Sequence, residues 1–202
     1  MKLYHTPTSP YVRKVMVTLI ETGQRDDVTL VPAGGTPLAP AEGYSAKNPL
    51  TKVPALERED GPTLYDSRVI CRFFDHRAGA GLYPEPPRLW ETMTLEASAD
   101  GMIDAGVVMV YEDRLRPEQH QYAPIVEAHW AKVRQVLDTV ESRWMAHLAG
   151  PLDAGQIAMG CALGFLDLRL GDRGWRDGAP NLAAWYESFS ARDSMVQTAP
   201  PS

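Results

Sequence analysis

Apolar positions follow two different rhythms along the chain, and the rhythm changes near residue 80. Before that point, short apolar segments alternate with one-faced helical patterns. Lys2–His5 reads as a short strand. Residues 10–22 carry Val12, Val15, Met16 and Leu19 three and four positions apart, which predicts an amphipathic helix closed by Gly23. The β-branched bias of residues 28–31 predicts a second strand. Residues 33–48 read as loop, with room for one short helix. Ala55–Glu57 and residues 63–65 flank the turn cluster Arg58-Glu59-Asp60-Gly61-Pro62, a hairpin pattern. Ser67–Ala78 closes the series as a helix, with Val69, Ile70, Phe73 and Phe74 expected on its inner side.

Residues 79–87 are rich in Gly and Pro and cannot continue a helix. Beyond them only helical patterns follow: Arg88–Leu115, then 125–148 with Val126, Trp130, Val133, Leu137, Val140 and Trp144 on one stripe, then 157–170 and 182–191. Asp153 and Gln156 have the spacing of a capping box at the start of the third. The pattern predicts an α/β domain over residues 1–78, a linker at 79–87 and an all-α domain over 88–202.

Composition narrows the function classes. The chain has 202 residues and a net charge of −6, which disfavours nucleic acid as a partner. Residues 1–78 hold ten Lys/Arg against nine Asp/Glu, whereas residues 79–202 hold ten against seventeen. No apolar run reaches the length of a membrane span, and the first residues do not read as a secretory signal. The two cysteines, Cys71 and Cys161, sit in apolar helical contexts and read as buried thiols rather than a disulfide framework. The five histidines show no ligand-like pairing, so no metal is expected. A cytoplasmic protein is the expectation.

Dinucleotide, P-loop, zinc-protease and nucleophile-elbow motifs are missing from the chain. Three other segments stand out. Ser9 precedes Pro10 at a helix start, where it reads either as a plain N-cap or as a hydroxyl able to hold an anion such as a thiolate. Asn48-Pro49-Leu50-Thr51-Lys52-Val53-Pro54-Ala55-Leu56 brings a proline to the start of a strand. Asp66 and Ser67 stand at the mouth of a second helix, either as a cap or as partners for a carboxylate.

Together these segments resemble the glutathione transferase family. Ser-Pro-Tyr-Val-Arg-Lys is similar to its first-helix entry, N-P-L-T-K-V-P-A-L to its N-P-x-G-K-V-P-x-L segment, and L-Y-D-S-R-V-I to its L-x-[ED]-S-x-x-I. Pro180-Asn181-Leu182-Ala183-Ala184-Trp185 resembles its last helix, and the segment from Ala99 to Ala105 resembles a bacterial branch. The resemblance implies a thioredoxin-like N-terminal domain, an all-helical C-terminal domain, glutathione as co-substrate and a homodimer. It implies that Val53–Pro54 is cis and that Val53 pairs with the cysteinyl backbone of glutathione. Lys52 would meet anionic groups of the peptide. Ser67 would hold the γ-glutamyl carboxylate, and Asp66 would lie near its ammonium. Ser9 would stand at the thiol as the catalytic residue. Tyr11, Met102 and Tyr111 are candidate liners for a small, apolar electrophile. Asp66 replaces the commoner Glu, and Gln156 replaces the usual Asp of the capping box. Two alternatives stay open: a non-catalytic glutathione-binding or protein-interaction module, and a glutathione-dependent reductase, against which the hydroxyl of Ser9 speaks because it offers no sulfur for a mixed disulfide.

Overall fold

The computed structural model describes residues 1–201. The chain divides into two compact units: Met1–Glu85 together with the chain from Asp193 onward, and Pro86–Arg192. The expectation of one C-terminal domain over 88–202 is therefore corrected, because the tail clusters with the first unit.

The first unit runs β1 (Lys2–His5), α1 (Pro10–Glu21), β2 (Thr29–Pro32), β3 (Gly35–Thr36), β4 (Ala39–Pro40), a 3-10 turn at Tyr44–Ala46, β5 (Ala55–Glu57) and α2 (Ser67–Ala78). Its main sheet has the order β2-β1-β5. β1 pairs in parallel with β2, Leu3 opposite Leu30, which the intervening helix makes possible. β5 runs antiparallel to β1, Leu3 opposite Leu56 and Tyr4 opposite Ala55. The second arm of the expected hairpin shrinks to one bridge, Leu56 with Leu64, since Asp66 already begins to cap α2.

Leu3, Val15, Leu19, Val28, Leu56, Ile70, Cys71 and Phe74 form the core of this unit. Burying each large aliphatic or aromatic side chain contributes about 1.5–3 kcal/mol. The buried face of α2 is Ser67, Ile70, Cys71 and Phe74, at helical spacing. Val69 lies off that face and is 46% exposed, a correction to its expected inward position. Phe73 is partly buried at the core's margin. The small β3–β4 ribbon falls in the segment expected to be loop. It depends on Gly35, with φ +136° and a backbone so close to β4 that a Cβ would sit 2.6 Å from the Ala39 carbonyl.

The tail forms α8 (Asp193–Gln197), which lies against α1. The Arg13 guanidinium donates to the Met195 carbonyl at 2.9 Å, and the Ser194 hydroxyl donates to Glu21 at 2.5 Å. Met195 is buried. Both ends of α1 are thus tied to a segment about 180 residues away in sequence.

The second unit contains α3 (Arg88–Leu115), α4 (Ala123–Arg143), α5 (Met145–Leu148), α6 (Ala154–Leu170) and α7 (Pro180–Ser190). The pattern over 125–148 reads as one helix, but the chain leaves helical φ at Trp144 and resumes as α5. Every residue of α6 from Ala154 to Leu166 is buried, as expected of a helix apolar on all sides. Gly155 lets it approach α3 closely, since a Cβ there would lie 2.9 Å from the Thr92 carbonyl. Asp153 caps α6 through the Gln156 N–H at 3.0 Å. The Gln156 side chain donates to the carbonyls of His147, Gly150 and Pro151, so its amide supports the preceding loop. Among the described residues, no helix is long and apolar enough to cross a membrane.

Candidate functional site

Strand register gathers the three singled-out segments at one end of the sheet. Tyr4 faces Ala55, so the residues after His5 meet those before Ala55, namely Val53 and Pro54. Leu56 faces Leu64, which carries the chain on to Asp66 and Ser67 beside the same end. The carboxyl end of β1 therefore brings together the turn bearing Ser9, the Val53–Pro54 segment and the mouth of α2. The Val53–Pro54 bond is cis, as the resemblance implied.

Ser9 caps α1: its Oγ accepts from the Val12 N–H at 3.3 Å, and its carbonyl accepts from the Arg13 N–H at 3.0 Å. Pro10 at the first helical position brings no N–H, and the first turn holds no acidic residue. Capping uses one lone pair of the hydroxyl, whose proton stays available for donation. The two readings of Ser9 are therefore compatible in one geometry.

Asp66 caps α2 by accepting from the Arg68 N–H at 3.0 Å, and its other oxygen meets the Arg68 guanidinium at 2.8 Å. Partial burial would raise the Asp66 carboxyl, but the Arg68 hydrogen bonds and charge, with Lys14 adding to them, outweigh that and hold it below the usual carboxylate range. Asp66 is thus an anion at neutral pH. Ser67, next in line, is 2% exposed, and its hydroxyl makes no hydrogen bond to another described residue. The first turn of α2 likewise lacks acidic residues. Two serine hydroxyls therefore stand at two positive helix ends, on either side of the cis proline.

The 48–54 loop is built tightly. The Asn48 Oδ1 accepts from the Leu50 N–H at 2.9 Å, and the Asn48 carbonyl accepts from the Thr51 N–H at 2.8 Å. Thr51 has φ +53°, where a β-branched residue costs about 1–2 kcal/mol. It stands where the resembled motif has Gly. The Lys52 carbonyl accepts from both Asn48 Nδ2 and the Tyr44 hydroxyl. The Lys52 side chain is exposed. Neither the N–H nor the carbonyl of Val53 has a hydrogen-bond partner among the described residues.

Sequence reasoning singled out the segment containing Asn48 and Thr51 without assigning either a role, and it missed Tyr44. No periodicity marks Tyr44; only the following turn and Asn-Pro pair hinted at structure there. Of the suggested electrophile liners, Tyr11 lies half-buried on α1, while α3 carries Tyr111, half-buried, and Met102, 1% exposed. Neither unit by itself gathers the three into one lining. Among the described residues, no group of three or more His, Cys, Asp or Glu side chains is placed to hold a metal ion.

Comparison with known proteins agrees with this geometry. Residues 8–77 match the family model for the glutathione S-transferase N-terminal domain, and residues 123–188 match that for the C-terminal domain. The chain belongs to the glutathione S-transferase family. Escherichia coli K12 YibF, described as an uncharacterized GST-like protein, is 32% identical, with 100% of this chain and 99% of YibF covered. A glutathione transferase family member from Pseudomonas fluorescens Pf-5, crystallised with bound glutathione, is 43% identical with a TM-score of 0.97, covering 100% of this chain and 99% of that one. The complex of a member from the same strain with S-(propanoic acid)-glutathione gives 42% identity and a TM-score of 0.93, with both chains fully covered.

Proposed function

We propose that this protein is a glutathione transferase that ionises the glutathione thiol for attack on a small, largely apolar electrophile. One observation carries the reading: Ser9 and Ser67 stand at the starts of two helices whose first turns hold no acidic residue, on either side of the Val53–Pro54 segment. In this reading Val53 pairs with the cysteinyl backbone of glutathione beside Pro54. Lys52 meets an anionic group of the peptide. Ser67 holds the γ-glutamyl carboxylate, with Asp66 balancing the neighbouring ammonium. The bound glutathione of the Pseudomonas fluorescens relative supports the ligand, and its S-substituted complex supports room for a group on sulfur.

The physical task is to make a thiolate near pH 7. A free thiol with a pKa near 8.5 is only a few per cent ionised there. Lowering that pKa by about two units takes roughly 2.7 kcal/mol of preferential thiolate stabilisation. A hydrogen bond from the Ser9 hydroxyl and the positive end of α1 together supply energy of this order. The thiol proton leaves to solvent. The thiolate then forms a carbon–sulfur bond while the leaving group departs with its bonding pair.

The proposal extends to a homodimer in the cytoplasm, where the buried thiols of Cys71 and Cys161, which form no disulfide, suit a reducing environment. Calorimetric titration with glutathione, beside steady-state assay against a panel of electrophiles, tests the function. Binding with turnover is expected. Binding without turnover would make the protein a non-catalytic module, turnover confined to disulfide substrates would make it a reductase, and absence of binding would overturn the assignment.

A further inference from the structure

We propose that Asn48 and Tyr44 are positioning residues that preset the Lys52–Val53 peptide plane for the backbone of a bound glutathione. The inference rests on the function proposed above and adds two residues that neither touch the thiol nor belong to the helix-mouth groups.

Two protein donors converge on one carbonyl. Asn48 Nδ2 reaches the Lys52 carbonyl at 2.7 Å, and the Tyr44 hydroxyl reaches it at 3.1 Å. The loop does not need either contact to close, because Thr51 N–H to Asn48 carbonyl and Leu50 N–H to Asn48 Oδ1 already fold it. What the two donors add is direction. In a trans peptide the C=O and the following N–H point opposite ways within one plane. Fixing the Lys52 carbonyl toward Asn48 and Tyr44 therefore fixes the Val53 N–H toward the other side, where no described residue meets it. Hydrogen bonds accepted by that carbonyl also polarise the amide and strengthen its N–H as a donor.

The donors are themselves held. Asn48 and Tyr44 are both buried. Burial pushes the Tyr44 hydroxyl up to about 12, so it remains a donor at working pH. Its ring tilts against Tyr4 at 5.6 Å between centroids. Lys47, one turn on, pairs with Glu57 on β5 at 2.6 Å, and the Tyr4 hydroxyl donates to the same carboxylate at 2.6 Å. The turn at 44–47 is thereby fastened to β1 and β5. The left-handed Thr51 fits the same account, since its strained backbone is kept rather than relieved beside the peptide being aimed.

Tyr44→Phe deletes one donor and keeps the ring. Asn48→Asp keeps the acceptor for Leu50 and replaces the other donor with an anion. Each should weaken glutathione in calorimetry by about 5–10-fold, the equivalent of about 1–1.4 kcal/mol. The KM for glutathione should rise by a similar factor while kcat at saturating glutathione stays within about twofold. A merely structural role would lower the melting temperature without that split. In the unaltered protein, glutathione should slow hydrogen exchange at the Val53 amide, and Tyr44→Phe should blunt that protection. Unchanged affinity in the folded variants overturns this inference alone, whereas a Val53 amide indifferent to glutathione overturns it together with the Val53 pairing proposed above. Failure of the unaltered protein to bind glutathione overturns the proposed function and this inference with it.

Discussion

Two aspartates cap helices in this chain, and their surroundings are opposite. Asp153, at the start of α6, is a side chain 2% exposed whose oxygens serve the Gln156 N–H, the Thr92 hydroxyl at 2.9 Å, His147 Nε2 at 2.7 Å and Arg88 at 3.4 Å. Asp66, at the start of α2, is 48% exposed; its hydrogen bonds go to Arg68 of its own helix, with the charge of Lys14 acting on it as well. The same capping chemistry is saturated by protein in one unit and left facing solvent in the other. A saturated cap is a building part, whereas an open cap beside a free hydroxyl is a place for a ligand. The contrast separates residues that hold the fold from residues proposed above to meet glutathione.

The largest effect should come from the closed cap. Asp153→Ala takes the carboxylate away from His147 and the Thr92 hydroxyl, leaves Arg88 with the Pro151 carbonyl, and uncaps α6, so it should cost about 3–5 kcal/mol in chemical denaturation. Glutathione affinity per folded molecule should stay as it was. A loss below about 1 kcal/mol would make Asp153 no different from an exposed cap.

At the open cap the order of effects reverses. Ser67→Ala should leave stability nearly unchanged and weaken glutathione by about 1–3 kcal/mol, the scale of a hydrogen bond to a charged group. Calorimetry that finds parental affinity would remove Ser67 from the site. Ser9→Ala sharpens the comparison, because Ser9 is both cap and proposed thiolate donor. Turnover at pH 7 should fall about 10–100-fold, corresponding to about 1.4–2.7 kcal/mol, and the ultraviolet thiolate signal of the complex should titrate at higher pH. A stability loss of about 1 kcal/mol with an unmoved titration would return Ser9 to capping alone.

The smallest effect concerns pH. Lys47, and then the Tyr4 hydroxyl, hold the Glu57 carboxyl down to about 2 against an ordinary 4.5. A depressed carboxylate contributes stability above its unfolded value and loses it as pH falls through the folded one. The first unit should therefore weaken between about pH 4.5 and 2, and Glu57→Gln should flatten that part of the stability curve. An identical acid profile in the variant would show that the Lys47–Glu57 pair does not fasten the 44–47 turn.

Much of the fold was legible in local signals. Helix starts at Ser9, Asp66 and Asp153 announce themselves because capping acts over three residues, and the buried face of α1 follows from its apolar spacing. The motif segments carrying Ser9, Val53–Pro54 and Asp66–Ser67 were equally visible. Val69 shows where local reading fails. Its apolar side chain fits a helix face in the abstract, but the sheet beneath α2 receives Ile70, Cys71 and Phe74 instead. The β3–β4 ribbon and the single Leu56–Leu64 bridge were hidden because two-residue pairings leave no period to detect.

What the sequence by itself determined is the longer helices, the strands of the main sheet, the caps at Ser9, Asp66 and Asp153, and the family whose motifs they carry, since each depends on residues within a few positions of one another. What only the tertiary structure decided is which groups meet. Pairing of β1 with β5 sets Pro54 beside the turn of Ser9, the tail from Asp193 returns to bind Arg13 and Glu21, and Tyr44 finds the carbonyl of Lys52. The saturation of Asp153 also comes from residues as far away as Arg88. A short polar side chain reads alike along the chain wherever it stands; whether its hydrogen bonds are already spent depends on neighbours that only packing brings within 3 Å.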